Sequence, residues 1–210
     1  MTYNQTGHIL KMQMAHGNMS KPLVLVFAGP NGSGKSTLNN QMPHYGEYVN
    51  ADDLKDKYAL TDLEAAEKAA ELRNKLLNKK ADFTFETVLS TDRNIILLEK
   101  AKKKGYQVHC IYVVTCNADI NVARVKIRVL EGGHDVPEEK IRSRYVKALK
   151  LLPRLIKVCD KIFIYDNSIK NENTNKPEPF CIFIKDENGS KYFPTEFWTS
   201  EKIQELVRNN

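Results

Sequence analysis

The chain has 210 residues, 41% of them hydrophobic and 28% charged, with a formal net charge of +6. Such values belong to one globular α/β domain with a core of its own; they exclude a disordered chain and a small scaffold that depends on disulfides. No apolar stretch reaches the ~18 residues of a transmembrane helix, and the basic balance favours anionic partners.

Residues 1–20 are polar and aperiodic and read as a flexible N-terminal arm, with Met12, Met14 and Met19 as further candidate starts. They lack the apolar core of a signal peptide. The apolar run over 22–28 predicts a first strand, and a helix follows from Lys35 to about Met42, where Pro43 stops it. A short strand over 47–50 runs into Asp52-Asp53. One long helix rich in Ala, Leu, Glu and Lys is expected over 53–80. A third strand covers 83–86; Asp92 then caps a helix to Lys104, which Gly105 ends.

Residues 107–115 are nearly continuous in β-branched and aromatic side chains, the composition of a central strand covered on both faces. A helix over 119–131 breaks at Gly132-Gly133. Asp135-Val136-Pro137-Glu138 then matches a capping box that starts another helix, running to Val158. A fifth strand over 161–165 ends at Asp166-Asn167-Ser168. Polar, proline-bearing residues 169–179 form a surface connection. A hairpin follows, with strands at 180–184 and 191–193 around Asp186-Glu187-Asn188-Gly189, and a short helix covers 200–207.

Apolar runs that alternate with helical patterns specify an α/β fold, a five-stranded parallel sheet wrapped by helices. The expected organisation is an arm over 1–20, one domain over 21–170, and a C-terminal hairpin and helix over 171–210 packed on that domain. Cys110, Cys116, Cys159 and Cys181 lie in or beside strand-like segments without a C-x-x-C pair, which reads as reduced thiols of a cytoplasmic protein.

Chemistry enters at residues 29–36. Gly29-Pro30-Asn31-Gly32-Ser33-Gly34-Lys35-Ser36 is a full G-x-x-x-x-G-K-[ST] phosphate-binding loop, set between a strand and a helix that begins before Thr37. Glycines let successive N–H groups turn onto a phosphate chain, and the helix N-terminus adds partial positive charge. Lys35 reaches the β- and γ-phosphates and the Ser36 hydroxyl ligates Mg²⁺, so ATP and Mg²⁺ are the expected cofactors.

Functional groups in such sheets gather at the carboxyl ends of strands. Here those ends carry Asp52 and Asp53, Glu86 and Thr87, Thr115, and Asp166-Asn167. A kinase needs a carboxylate to accept the acceptor's proton; one of Asp52 and Asp53 fits that role, and one of the pair is expected to cap the helix. Arg124 and Arg128 share a helix face, and with Arg142 and Arg144 beyond the Gly-Gly turn they form a helical lid that could neutralise a transferring phosphoryl group. His134 reads as a loop residue, and Arg93 and Lys100 as surface.

The chain resembles the zeta toxin family of P-loop kinases, in its short, stand-alone branch. The likeness rests on Gly29 to Thr37, Val49-Asn50-Ala51-Asp52-Asp53-Leu54-Lys55 and Phe85-Glu86-Thr87. It continues through Lys104-Gly105-Tyr106, the stretch from Arg124 and Arg128 to Pro137, and Arg142-Ser143-Arg144-Tyr145. The resemblance implies a P-loop kinase-like three-layer αβα sandwich with a helical lid, similar to the adenylate and shikimate kinases. It implies phosphorylation of a hydroxyl on UDP-N-acetylglucosamine or a related amino sugar, and an antitoxin partner.

Residue by residue, the family's base falls on Asp52, its acceptor-holding Glu on Glu86, and its lid arginine on Arg124 or Arg128. Thr87, Asp53 and Ser90 complete the expected acceptor side. There are departures. Where larger toxins carry Gly-Thr-Gly-Arg, this chain has Thr87-Val88-Leu89-Ser90, and a second lid arginine falls near His134. Phosphoryl transfer to a small hydroxylated metabolite is therefore the firmer expectation. The other readings are a nucleoside or polynucleotide kinase and a regulatory NTPase without an acceptor. Nucleic acid is disfavoured by the lack of interleaved aromatic and basic residues.

Overall fold

The computed structural model of the chain describes residues 21–170 and 177–208. The arm expected over 1–20 lies outside the described residues, as do 171–176 of the polar connection. Strand β1 (Leu23–Ala28) leads through the phosphate loop into helix α1 (Lys35–Asn39). Then come β2 (Glu47–Val49), α2 (Ala51–Tyr58), α3 (Asp62–Lys79), β3 (Phe83–Thr87), α4 (Arg93–Lys103) and β4 (Gln107–Val114). The second half holds α5 (Ala118–Leu130), α6 (Glu138–Val158), β5 (Lys161–Asp166), β6 (Phe180–Asp186), β7 (Gly189–Tyr192) and α7 (Ser200–Val207).

The sheet has seven strands in the order β2-β3-β1-β4-β5-β6-β7. The first five are parallel, and β6 and β7 join antiparallel beyond β5. The expected five-stranded parallel sheet is thus present, but the hairpin continues it rather than standing apart. Local turn chemistry reveals a hairpin; it does not reveal which edge accepts it. All six residues of β1 are buried, as a strand needs when both sheet faces are covered. One face carries the larger core, where Val24, Val26, Phe83, Phe85, Tyr112 and Ile164 meet Leu77, Ile95, Leu98, Leu152 and Leu155. On the other face Leu25, Phe27, Ile111, Val113 and Phe163 pack with Leu38 of α1, Met42 and Tyr45. A third, small cluster of Val122, Val125 and Ile141 holds α5 to α6.

Three local expectations are corrected. The long helix over 53–80 is two helices: Ala59 turns left-handed (φ 51°) to end α2, and Thr61 with Glu64 forms a reciprocal capping box that starts α3. Asn50, not Asp52 or Asp53, caps α2, its side chain accepting from the Asp52 N–H. At α6 the cap position is Pro137 and no side chain bonds the first amides, so the box read at Asp135 does not form. All four cysteines are free thiols. Among the described residues no helix is long and apolar enough to cross a membrane.

Candidate active site

The carboxyl ends of β1, β3 and β5 meet at the phosphate loop. All three of its glycines take positive φ and leave no room for a Cβ. At Gly29 (φ 138°) a Cβ would come 2.1 Å from the Val113 carbonyl oxygen, and at Gly34 (φ 94°) one would come 2.2 Å from Asn167 Nδ2. At Gly29 chain and loop therefore pack backbone to backbone, and at Gly34 the Asn167 side chain lies against the bare backbone, an arrangement whose amides can turn on an anion. Asn167 braces the loop by donating to the Ser33 carbonyl (2.8 Å), and Asn121 does so at the Asn31 carbonyl (2.6 Å).

Lys35 is buried, and its ammonium donates to the Pro30 carbonyl (2.9 Å). Burial pulls its pKa down to about 8; the Glu86 and Asp52 carboxylates oppose that and Arg128 reinforces it. Charged side chains from β3, α2 and the lid therefore lie within electrostatic reach of Lys35. Glu86, half-buried at the end of β3, is the hub. Its Oε2 accepts from Ser36 Oγ (3.1 Å), while Oε1 accepts from Asn39 Nδ2 (2.8 Å) and Tyr48 OH (2.9 Å). Burial and then the Glu86 charge push the Tyr48 phenol well above its usual value, so it stays a donor. His44 stacks on the Tyr48 ring at 4.3 Å and shares a hydrogen bond with Asn39 Oδ1 (2.8 Å).

Because Asn50 caps α2, both carboxylates of its first turn are released from that duty. Asp53 is raised by burial first and then by Glu86, Asp52 and Asp56. The lid closes the far side. Arg128 donates to the His134 carbonyl (2.6 Å), and His134 reaches across to Asp56 of α2 (3.4 Å). Arg144 donates to Asn31 Oδ1 in the phosphate loop (3.3 Å). Arg124 lies deeper, donating to the Asn167 carbonyl (2.7 Å) while its Nη1 is buried without a partner. Arg142 is taken up by Glu138 and Asp119 on the lid's outer surface.

The zeta toxin family profile matches residues 37–176 of the chain. The chain belongs to the zeta toxin family. A Haemophilus influenzae protein of uncharacterised function is 31% identical over 131 residues, 58% of this chain and 91% of that one. Among solved structures, the AvrRxo1-ORF1:AvrRxo1-ORF2 complex with ATP superposes with a TM-score of 0.66 at 14% identity, covering 90% of this chain. This chain spans 64% of the length of that protein. The PezAT chromosomal toxin–antitoxin system of Streptococcus pneumoniae gives a TM-score of 0.53 at 17% identity, covering 94% of this chain and 83% of that one. At such identities these two speak for the fold, which is that of the P-loop kinases.

Within this zeta toxin fold, Lys35, Ser36, Asp52, Glu86 and Arg128 converge, whereas Arg124 is braced on the β5 end. Thr87 is engaged in its own turn, its hydroxyl accepting from the Leu89 N–H (3.0 Å) and Asn94 Nδ2 (2.8 Å). Ser90 follows that left-handed Leu89 (φ 56°) and is half-buried. Sequence reasoning missed Asn39, His44, Tyr48 and Asn121, and it marked Asn167 only as part of a strand end, without its brace on the loop. For Asn39, His44 and Tyr48 no motif exists, since their roles depend on how α1 turns back onto β2.

Proposed function

We propose that the protein is an ATP-dependent small-molecule kinase that transfers the γ-phosphoryl group to a hydroxyl of a metabolite, with UDP-N-acetylglucosamine or a related amino sugar as the candidate acceptor. The observation that carries this reading is the convergence of Asp52, Glu86 and Arg128 on Lys35. A hydrolytic switch has no need of an uncommitted carboxylate facing the phosphate loop; a kinase does.

The residues fit ATP and Mg²⁺. The loop from Gly29 to Thr37 supplies amides and Lys35 supplies charge, while Ser36 and Glu86 offer hard oxygen donors of the kind Mg²⁺ takes alongside phosphate oxygens. When bound, Mg²⁺ supplies charge neutralisation at the phosphates. Asp52 orients the acceptor hydroxyl and takes its proton as the new O–P bond forms, while the bond from the γ-phosphorus to the β–γ bridging oxygen breaks and ADP leaves. Glu86 holds Ser36 and, through Asn39 and Tyr48, the floor of the acceptor side; Asp53 and Ser90 border that side. Arg128 meets charge building on the transferring group, and Arg124, with its orphan Nη1, meets the nucleotide's phosphates. An antitoxin is the proposed protein partner, and the cytoplasm the proposed location.

The test is ATP consumption with and without a panel of sugar nucleotides, nucleosides and oligonucleotides. Consumption that depends on a sugar nucleotide supports the proposal. Dependence on nucleosides or oligonucleotides selects the polynucleotide-kinase reading, and hydrolysis indifferent to every acceptor selects a regulatory NTPase.

A further inference from the structure

Arg73 of α3 is only 9% exposed, yet among the described residues it makes no hydrogen bond or ion pair, and its Nε is buried without a partner. Its guanidinium lies over the Phe85 ring, 5.0 Å from the centroid. A ring face holds a cation weakly, and it does not replace the oxygen acceptors that a buried guanidinium gives up on leaving water. Burial lowers the pKa only to about 10, so the group is charged at neutral pH.

What surrounds Arg73 is also one-signed. A cleft of about 350 Å³ between α3 and α4 is lined by Arg73, Arg93 and Lys100, with Asn74, Thr91 and Asn94 as polar neighbours and no acidic residue. The acids that flank Arg93 and Lys100 in sequence, Asp92 and Glu99, both face Arg154 (3.6 and 2.9 Å). Thr91 and Asn94 also mark the start of α4, whose cap position makes no side-chain hydrogen bond to the first amides. Two exposed cations, Arg93 and Lys100, the uncapped start of α4 and the Arg73 guanidinium with its unpartnered buried Nε meet in one cleft.

We propose that the α3–α4 cleft is a second oxyanion site, separate from the phosphate loop, which takes a phosphate-bearing small molecule with Arg73 at its centre and Arg93 and Lys100 at its rim. Guanidinium groups bond phosphate oxygens in pairs, and that geometry supplies what Arg73 lacks. The site stands next to the proposed active centre: Phe85 under Arg73 precedes Glu86, and Asn94 donates to Thr87 (2.8 Å). The phosphate could therefore belong to the acceptor itself or to a separate ligand, and the two sources predict different kinetics.

The experiment uses the full chain with ¹⁵N-labelled arginine, saturated with a non-hydrolysable ATP analogue so that the phosphate loop is filled, and titrated with inorganic pyrophosphate. The Arg73 Nε–H signal should shift and saturate at millimolar pyrophosphate or below. R93Q/K100Q, which changes two exposed side chains, should weaken that binding by about tenfold or more while analogue affinity is unchanged. No shift at Arg73, or equal affinity in the double variant, overturns the proposal. R73Q would serve as a further control, but the inference does not depend on its folding. If pyrophosphate then competes with the acceptor in ATP turnover, the anion is part of the acceptor; if it binds without competing, the ligand is separate. Should no acceptor stimulate turnover, the kinase reading fails and the titration alone still decides the cleft.

Discussion

At Lys35 the folded protein sets burial against the Glu86 and Asp52 charges, and burial prevails, with the pKa at about 8 against an ordinary 10.5. The unliganded fold therefore loses that proton first as pH rises, and gains stability between about 8 and 10.5. Nucleotide binding runs the opposite way, because phosphates favour the charged form. ATP affinity should fall as pH rises above about 8, approaching tenfold per pH unit. Titrations between pH 7 and 10, with Lys35→Met as a weak and flat control, measure this; a flat wild-type profile would remove Lys35 from the phosphates. Asp52→Asn should leave nucleotide affinity nearly unchanged and cut transfer by roughly 10²-fold or more, as loss of a general base does. Asp53→Asn should do less, since Asp52 and not Asp53 is among the charges that reach Lys35. A reversed order in single-turnover rates would move the base one residue along α2. At this scale the loop was legible because its backbone chemistry dictates residue identity. Asn50 was not: asparagine and aspartate are about equal as N-caps, so only the register of α2 decides between Asn50 and the pair Asp52-Asp53.

Elements were legible where period and punctuation agreed. Strands β1, β4 and β5 were visible as apolar runs and β2 and β3 as short strands, and Gly105 and Gly132-Gly133 marked true helix ends. The α2–α3 break was missed because Ala59 has no turn chemistry. Even so, Thr61-Asp62-Leu63-Glu64 has the spacing a capping box requires: residue 61 supplies the hydroxyl and residue 64 the returning carboxylate. Thr61→Ala should accordingly cost about 1 kcal/mol in denaturant unfolding. Arg73 was hidden for a different reason, since a charged residue on an amphipathic helix is assigned to solvent by default. The lid presents a sharper test. Arg128 senses Lys35 whereas Arg124 is tied to the Asn167 carbonyl, so Arg128→Ala should lower kcat by at least ~10²-fold with little change in the Michaelis constant for ATP. Arg124→Ala should act more on nucleotide binding. Equal effects of both on kcat alone would contradict this division of labour.

The whole molecule depends on its C-terminal segment more than the order of motifs suggests. All motif-bearing residues precede residue 170, which invites the view that the hairpin and α7 are an appendage. Side-chain burial argues otherwise. Ile182 and Phe183 of β6, with Trp198, Ile203 and Leu206, belong to the same core cluster as Val24, Phe85 and Leu152. Lys185 donates to the carbonyls of Ile156 (2.7 Å) and Cys159 (2.9 Å), closing the C-terminal end of α6, the helix that carries Arg144 into the phosphate loop. Each fully buried apolar side chain of this size contributes about 1.5–3 kcal/mol. Losing the whole set approaches the 5–15 kcal/mol that typically separates folded from unfolded domains. We therefore expect a chain ending at residue 176 to lack a cooperative thermal transition and to bind no ATP analogue. Lys185→Met in the full chain should keep nucleotide affinity while unfolding at about 1–2 kcal/mol lower stability, from the lost charge-assisted bonds at the helix end. A truncated chain that still unfolds cooperatively and binds nucleotide would show that the first five strands and their helices form the complete folding unit, with β6, β7 and α7 merely resting on it.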